Sequence, residues 1–264
     1  MWGIVPAAGR GSRIQPLAFS KELLPVGSRV EAGAERPCAV SEHLLERMIL
    51  GGVDKICMVI SPGKYDIVDY YGASYGAASV AYVVQPRSDG LCDAIFRAMP
   101  LIGLDEPVLV GLPDTVWFPK AALADLPDEG LAFLLFPVDE PHRFDAVVLD
   151  AHDRVIAIDV KTHAARSRWI WGAFRLTGRT LHALHALWLA RERRDEYFGG
   201  LVNAWIAQGG VARGLRAGAR YIDVGTFDGY REAMKMLDET GAPSPRAAAL
   251  WPAGRPIETI GAPL

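Results

Sequence analysis

The sequence predicts an α/β fold, a doubly wound and mostly parallel sheet, on three observations. Through the first half, short apolar runs alternate with stretches of helical spacing, the order that arises when helices carry the crossovers between parallel strands. Those runs are apolar at successive positions, as strands covered on both faces require. After Leu131 short strands follow one another with only turns between them, which predicts a smaller antiparallel or mixed section laid on the same sheet.

The first buried strand covers residues 2–7 and runs into a loop rich in Gly, Ser and Pro that extends from Gly9 to about Lys21. Val40, Leu44, Leu45, Met48 and Ile49 make a helical stripe over residues 40–50, with Ser41 near its start. Strands follow at 55–60, closed by Ser61-Pro62-Gly63, and at 80–84; then come a helix over 91–99 and a strand at 107–112 leading to Asp114. The second half gives strands at 131–138, 146–149, 155–160 and 169–174, and helices at 180–191 and 201–208. A late strand at 221–224 feeds a last helix over 228–238. These elements form one domain over residues 1–240, with the antiparallel section at about 131–178. Residues 241–264, rich in Pro, Ala and Gly, read as a loosely packed tail.

Bulk composition narrows the partners. Half of the residues are hydrophobic and 22% are charged, a folded composition. The formal net charge of −3 provides no global basic field, so nucleic acid and acidic membrane are not expected partners. Three cysteines, Cys38, Cys57 and Cys92, stand in no paired spacing, which fits a reducing cytoplasm and excludes a CxxC zinc site. The N-terminus lacks the basic patch and apolar stretch of a signal peptide. The longest apolar run, at 131–138, falls far short of the roughly 20 residues a bilayer demands.

The opening strand enters Pro6-Ala7-Ala8-Gly9-Arg10-Gly11-Ser12-Arg13. Glycines directly after a buried strand let backbone N–H groups converge on an anion. A P-loop would need a Gly-Lys-Ser/Thr ending that neither Gly9 nor Gly11 has. A dinucleotide fingerprint would need a third glycine where Ile14 stands. What remains is a phosphate loop supplemented by Arg13 and Lys21, or a tight turn whose basic residues face water.

The residues that follow complete a run of Gly-x-Gly-Ser-Arg-Ile-x-Pro-(x)₄-Lys-Glu-Leu-Leu-Pro-Val. This run resembles the signature of the sugar-1-phosphate nucleotidylyltransferases, above all those that use glucose 1-phosphate with dTTP or UTP. Three further stretches match in order: Gln85-Pro86-Arg87-Ser88-Asp89-Gly90-Leu91, Leu112-Pro113-Asp114 and Tyr221-Ile222-Asp223-Val224-Gly225-Thr226. The likeness covers roughly residues 3 to 235. It implies a Rossmann-like nucleotide-binding sheet whose antiparallel section binds the sugar. It also implies joining of a nucleoside triphosphate to a sugar 1-phosphate, giving an NDP-sugar and pyrophosphate.

Carried over by that resemblance, Ala8, Gly9, Gly11 and Ser12 line the nucleotide, Arg13 and Lys21 hold the triphosphate, and Gln85 and Gly90 read the base. Asp114 and Asp223 hold Mg²⁺, with Asp114 also counted among the catalytic residues. Lys161 binds the sugar phosphate beside Asp145, Asp159 and Gly172. Members of the family are often dimers or tetramers.

These residue types suit the chemistry. A sugar 1-phosphate is already an anion, so catalysis is mainly positioning and charge stabilisation. Mg²⁺ commonly takes one or two protein carboxylates along with phosphate oxygens and water. Asp114 follows one strand and Asp223 lies near the C-terminal end of another, and in a doubly wound sheet such ends meet at the ligand crevice. Asp also favours helix caps and turns, which is the plainer reading of both residues.

The sugar side departs from the family. Asp159-Val160-Lys161-Thr162 stands in place of Glu-Lys-Pro, and Phe144-Asp145-Ala146-Val147 replaces Tyr-Gly-Val-Val. An acceptor other than glucose 1-phosphate is therefore open. So are a cytidylyltransferase for a non-sugar phosphate such as phosphocholine, and a nucleotide-sugar-binding protein without turnover.

Overall fold

The computed structural model describes residues 1–31, 33–239 and 244–245. In chain order the first half contains β1 (Trp2–Pro6), β2 (Pro25–Glu31), β3 (Ala34–Ala39), α1 (Val40–Leu50), β4 (Lys55–Ile60), α2 (Tyr65–Tyr71), β5 (Ser74–Tyr75), β6 (Ala78–Val84), α3 (Gly90–Arg97), β7 (Pro107–Gly111) and β8 (Thr115–Phe118). The second half contains β9 (Leu131–Pro137), β10 (Asp145–Leu149), β11 (Val155–Val160), β12 (Trp169–Thr177), α4 (Gly178–Ala190), α5 (Phe198–Ala207), β13 (Ala212–Leu215), β14 (Arg220–Asp223) and α6 (Phe227–Glu239). Apart from residues 244–245, the segment read as a tail lies outside the described residues.

The main sheet has the order β11-β10-β12-β7-β1-β4-β6-β5, with β9 and β13 added beside β12. β7, β1, β4 and β6 are parallel. β12 turns the direction against β7, and β9, β10 and β11 continue antiparallel. The doubly wound parallel sheet and its antiparallel extension are therefore both present.

Alternate side chains of each central strand enter different cores, which explains the unbroken apolar runs. Ile4, Cys57, Val59 and Phe133 face the layer of α3, α4 and α5. Val5, Ile56, Met58 and Leu134 face the layer of α1 and α2. Full burial of one such side chain contributes about 1.5–3 kcal/mol, so these strands are the chief source of stability. The three thiols are buried and free. Among the described residues no helix is long and apolar enough to cross a membrane.

Two differences from the sequence reading bear on the site. β14 does not join the main sheet; it pairs antiparallel with β8 in a separate ribbon, Asp223 opposite Thr115 and Tyr221 opposite Trp117. Ile222 and Val116 then fall on one side of that ribbon and pack under α6. The ribbon is held from below by Arg47 of α1, fully buried, whose Nε and Nη2 both donate to the Trp117 carbonyl at 2.9 and 2.5 Å. The second difference is a β2–β3 hairpin over a stretch that showed no alternation.

Candidate active site

The first strand delivers the glycine-rich loop to the end of the parallel sheet, where the Ala7 amide donates to the Val59 carbonyl at 2.8 Å and fixes the exit. At Gly11, φ is +64°, and a Cβ there would lie 2.7 Å from Cδ of Lys21. This glycine is needed twice over, for the left-handed turn and for the path of the lysine stem. Gly9 lies in the same fold of chain, with Lys21 Nζ 3.8 Å from where its Cβ would be. Ser12 and Arg13 at the loop's crest are exposed, and Ala8 is buried beneath it.

Lys21 reaches from that loop to Asp114, its Nζ 2.5 Å from Oδ2, with both side chains mostly covered. Burial alone would depress the lysine, but the Asp114 carboxylate raises the Lys21 ammonium above its ordinary value. Burial would likewise raise Asp114, yet Lys21 holds that carboxyl below the usual range. Arg13 Nη1 meets Asp223 Oδ2 at 2.9 Å.

The ribbon register is what brings the two acids together. Asp223 sits opposite Thr115, the neighbour of Asp114, and the Val224 amide donates to the Asp114 carbonyl at 2.8 Å. Gly225 marks their meeting point: a Cβ built on it would lie 2.8 Å from Asp223 Oδ1, 3.1 Å from Asp114 Oδ2 and 3.1 Å from Arg13 Nη2. The four charged residues singled out from sequence thus lie around one spot, on one face of the molecule. Among the described residues no group of three or more His, Cys, Asp or Glu forms a fuller metal cage. A carboxylate pair with open positions suits a hard cation that keeps water and phosphate oxygens in its shell.

Gln85 is buried, and its Nε2 donates to the Gly90 carbonyl at 3.1 Å and to Asp93 Oδ2 at 2.9 Å. Both partners can only accept, so the amide nitrogen must face them. Gly90 itself starts α3 and packs against Glu196, whose carbonyl accepts from the Leu91 amide at 3.0 Å.

The residues expected to meet the sugar occupy the antiparallel section and divide between its two faces. Asp145 pairs with Val160 and Asp159 with Ala146, so the two acids point to opposite sides of the β10–β11 hairpin. Asp159 is gripped by Arg166, with Nη2 to Oδ1 at 2.6 Å and the Arg166 amide to Oδ2 at 2.8 Å. Asp145 turns toward α5, where its Oδ2 lies 2.8 Å from the place a Gly199 Cβ would take. Burial pushes its carboxyl up, against the pull of Lys161. The Trp171 indole, buried beside it, also draws it down.

Lys161 has φ +41°, a left-handed value rare for a side-chain-bearing residue. That twist breaks the strand alternation and carries its ammonium to the α5 side, 4.1 Å from the Tyr197 ring centroid. Gly172 is taken up by its neighbours, since a Cβ there would meet Phe136 at 2.6 Å and Tyr221 at 2.7 Å. A cleft of about 850 Å³ runs from Asp223 past Tyr221 to Phe144 and Arg168, and the Phe144 carbonyl accepts from the Lys161 amide at 3.0 Å. The cleft joins Asp223 to the edge of the antiparallel section.

One residue escaped the sequence reading. Lys64, just before α2, extends its Nζ to the Ala7 and Gly9 carbonyls, each at 2.7 Å, and to both carboxylate oxygens of Glu22 at 2.8 Å. Two residues on, Asp66 accepts from the Ser20 amide and hydroxyl, both at 2.6 Å. The only sequence signal was a lysine beside Ser61-Pro62-Gly63, which reads as a solvated turn.

The chain is similar to known nucleotidylyltransferases. A glucose-1-phosphate thymidylyltransferase of Neisseria meningitidis is 26% identical over 253 residues, covering 90% of this chain and 82% of that protein. A UTP–glucose-1-phosphate uridylyltransferase of Haloferax volcanii is 25% identical over 249 residues, covering 90% of this chain and 97% of its own. In fold, the chain is similar to the UTP-bound UGPase of Acinetobacter baumannii, with a TM-score of 0.71 at 18% identity over 89% of this chain and 92% of that one. The family described as nucleotidyl transferase matches residues 2–240. Carrying that match over nearly its whole described length, with two acids and two bases gathered at the end of a parallel sheet, the chain belongs to the nucleotidyl transferase family.

Proposed function

We propose that this enzyme joins UTP or dTTP to a sugar 1-phosphate, forming an NDP-sugar and pyrophosphate with Mg²⁺ at Asp114 and Asp223. The observation that carries the reading is the convergence of Asp114, Asp223 and Arg13 on the space beside Gly225, with Lys21 paired to Asp114. The relatives named for glucose 1-phosphate support the acceptor class. The three buried thiols favour a reducing cytoplasm.

An oxygen of the sugar phosphate attacks the α-phosphorus; the new P–O bond forms as the bond to the β-phosphate bridging oxygen breaks, and pyrophosphate leaves. The nucleophile is already ionised, so no residue has to remove a proton. Arg13 offers a planar fork to phosphate oxygens and Lys21 a point charge. Bound between the two carboxylates, the divalent ion would offset charge on the triphosphate. Lys161 anchors the incoming phosphate. Gln85, its nitrogen committed to Gly90 and Asp93, keeps Oε1 as an acceptor. Uracil and thymine bring an N3–H donor to such an atom, whereas cytosine has a bare N3.

The test is pyrophosphate release from each of the common nucleoside triphosphates with a panel of sugar 1-phosphates and with phosphocholine, alongside Asp223→Ala. Release with UTP or dTTP and a sugar phosphate is expected, and loss of at least about two orders of magnitude in the variant with an unchanged melting temperature. Nucleotide binding without release for any pair would instead make the protein a binding module.

A further inference from the structure

We infer that Lys64 is a positioning residue that presets the glycine-rich loop to receive phosphate, an inference that rests on the nucleotidyl-transfer reading above. Its ammonium grips two loop carbonyls from behind, those of Ala7 and Gly9. A trans peptide holds its C=O and N–H in opposite directions. Pulling the Ala7 oxygen toward Lys64 therefore turns the Ala8 amide away from it, and the Gly9 oxygen does the same for the Arg10 amide. The amides of Ala8, Gly9, Arg10 and Gly11 have no acceptor among the described residues. Of these, Ala8 and Arg10 are thereby turned to the side of the loop away from Lys64, where an anion would meet them.

The remaining contacts of this segment fit a clasp rather than a simple prop. Glu22, fully buried, follows Lys21 directly and shares the Lys64 ammonium. Asp66 holds Ser20, which precedes Lys21. Lys64 and Asp66 thus fix both ends of the 9–20 loop, and through Glu22 they set the starting point of the catalytic lysine. A buried ion pair contributes little to net stability compared with apolar packing, so the arrangement is better explained by what it orients. Lys64 itself is mostly covered, its charge already shared among four oxygens.

The experiment compares the wild-type protein, the double variant Lys64→Met/Glu22→Gln, which leaves no buried charge unpaired, and Lys64→Gln, whose amide can still donate to the carbonyls. Binding of inorganic tripolyphosphate with Mg²⁺ is measured by calorimetry, and KM is measured for both substrates. The double variant is expected to weaken tripolyphosphate binding and raise KM for the triphosphate by roughly tenfold, with KM for the sugar phosphate unchanged. Lys64→Gln should recover part of that loss. Wild-type tripolyphosphate affinity in the double variant overturns the inference. Equal damage in Lys64→Gln and the double variant also overturns it, because that pattern marks a charge lying directly on phosphate. Should the double variant melt early, Lys64→Gln alone decides, an intermediate loss supporting the role and wild-type affinity refuting it. Pyrophosphate release by the wild type, assayed in parallel, separates failure of the activity from failure of the clasp.

Discussion

Lys21 and Asp114 neutralise one another before any ligand arrives, at 2.5 Å and largely out of water. If Asp114 serves the metal as proposed, an entering ion would have to displace that ammonium, and a triphosphate would have to draw it off the carboxylate. Each ligand therefore opens the site for the other, a coupling of the kind that binding linkage requires to be reciprocal. Removing the lysine should then free the acid. Lys21→Met is expected to lose turnover yet bind Mn²⁺ without nucleotide roughly tenfold more tightly, about 1.4 kcal/mol, as read by electron paramagnetic resonance of free Mn²⁺. Unchanged or weaker Mn²⁺ binding would mean that Asp114 does not serve the metal. At this scale the sequence was informative, because Arg13, Lys21, Asp114 and Asp223 stand in stretches of fixed spacing. Lys64 was illegible for the opposite reason: its partners are backbone carbonyls, which carry no residue signature.

Helix α1 ties three parts of the molecule together through buried polar side chains. Arg47 carries β8, and His43 Nε2 lies 2.8 Å from the Val26 carbonyl of β2, to which it must donate. Burial, then the nearby Arg47 charge, lowers the His43 pKa to about 4 from 6.5. Between those values the unfolded chain binds the extra proton and the folded one does not, so stability rises with pH across this window and falls as the medium is acidified. The contribution lost by pH 4 is roughly 3 kcal/mol. His43→Gln should flatten that dependence, seen as a smaller change in melting temperature between pH 6.5 and 4. A slope identical to the wild type would show that His43 titrates as an exposed imidazole. The elements the sequence did not reveal are those without a period to read. The β2–β3 hairpin contains Pro25, Pro37 and four charged residues, Arg29, Glu31, Glu35 and Arg36, and Glu42 of α1 holds Arg29 down. Helix α2 and strand β8 are too short for amphipathic spacing.

For the molecule as a whole, the parallel sheet and its antiparallel extension share cores rather than standing as separate bodies. Phe174 of β12 lies face to face with Phe198 of α5, ring centroids 4.4 Å apart and planes 4° from parallel. The same cluster continues to Ile4 and Cys57 in the parallel half. Phe174→Ala should cost about 3–5 kcal/mol, and tryptophan fluorescence and circular dichroism should still report one coincident urea transition at a lower midpoint. Two separated transitions would show that the antiparallel section melts on its own. This continuity was legible, since the strand at 169–174 is apolar at successive positions. The ribbon of β8 and β14 was not, because pairing between distant short strands leaves no local trace.

That ribbon has a consequence for how the enzyme comes into being. One acid is supplied before the midpoint of the chain and the other only near the end of the described domain, and pairing of the two strands is what brings them side by side. On the proposed reading, a polypeptide stopped short of β14 would carry the loop but only one of the two acids meant for the metal, and would not squander nucleotide while still on the ribosome.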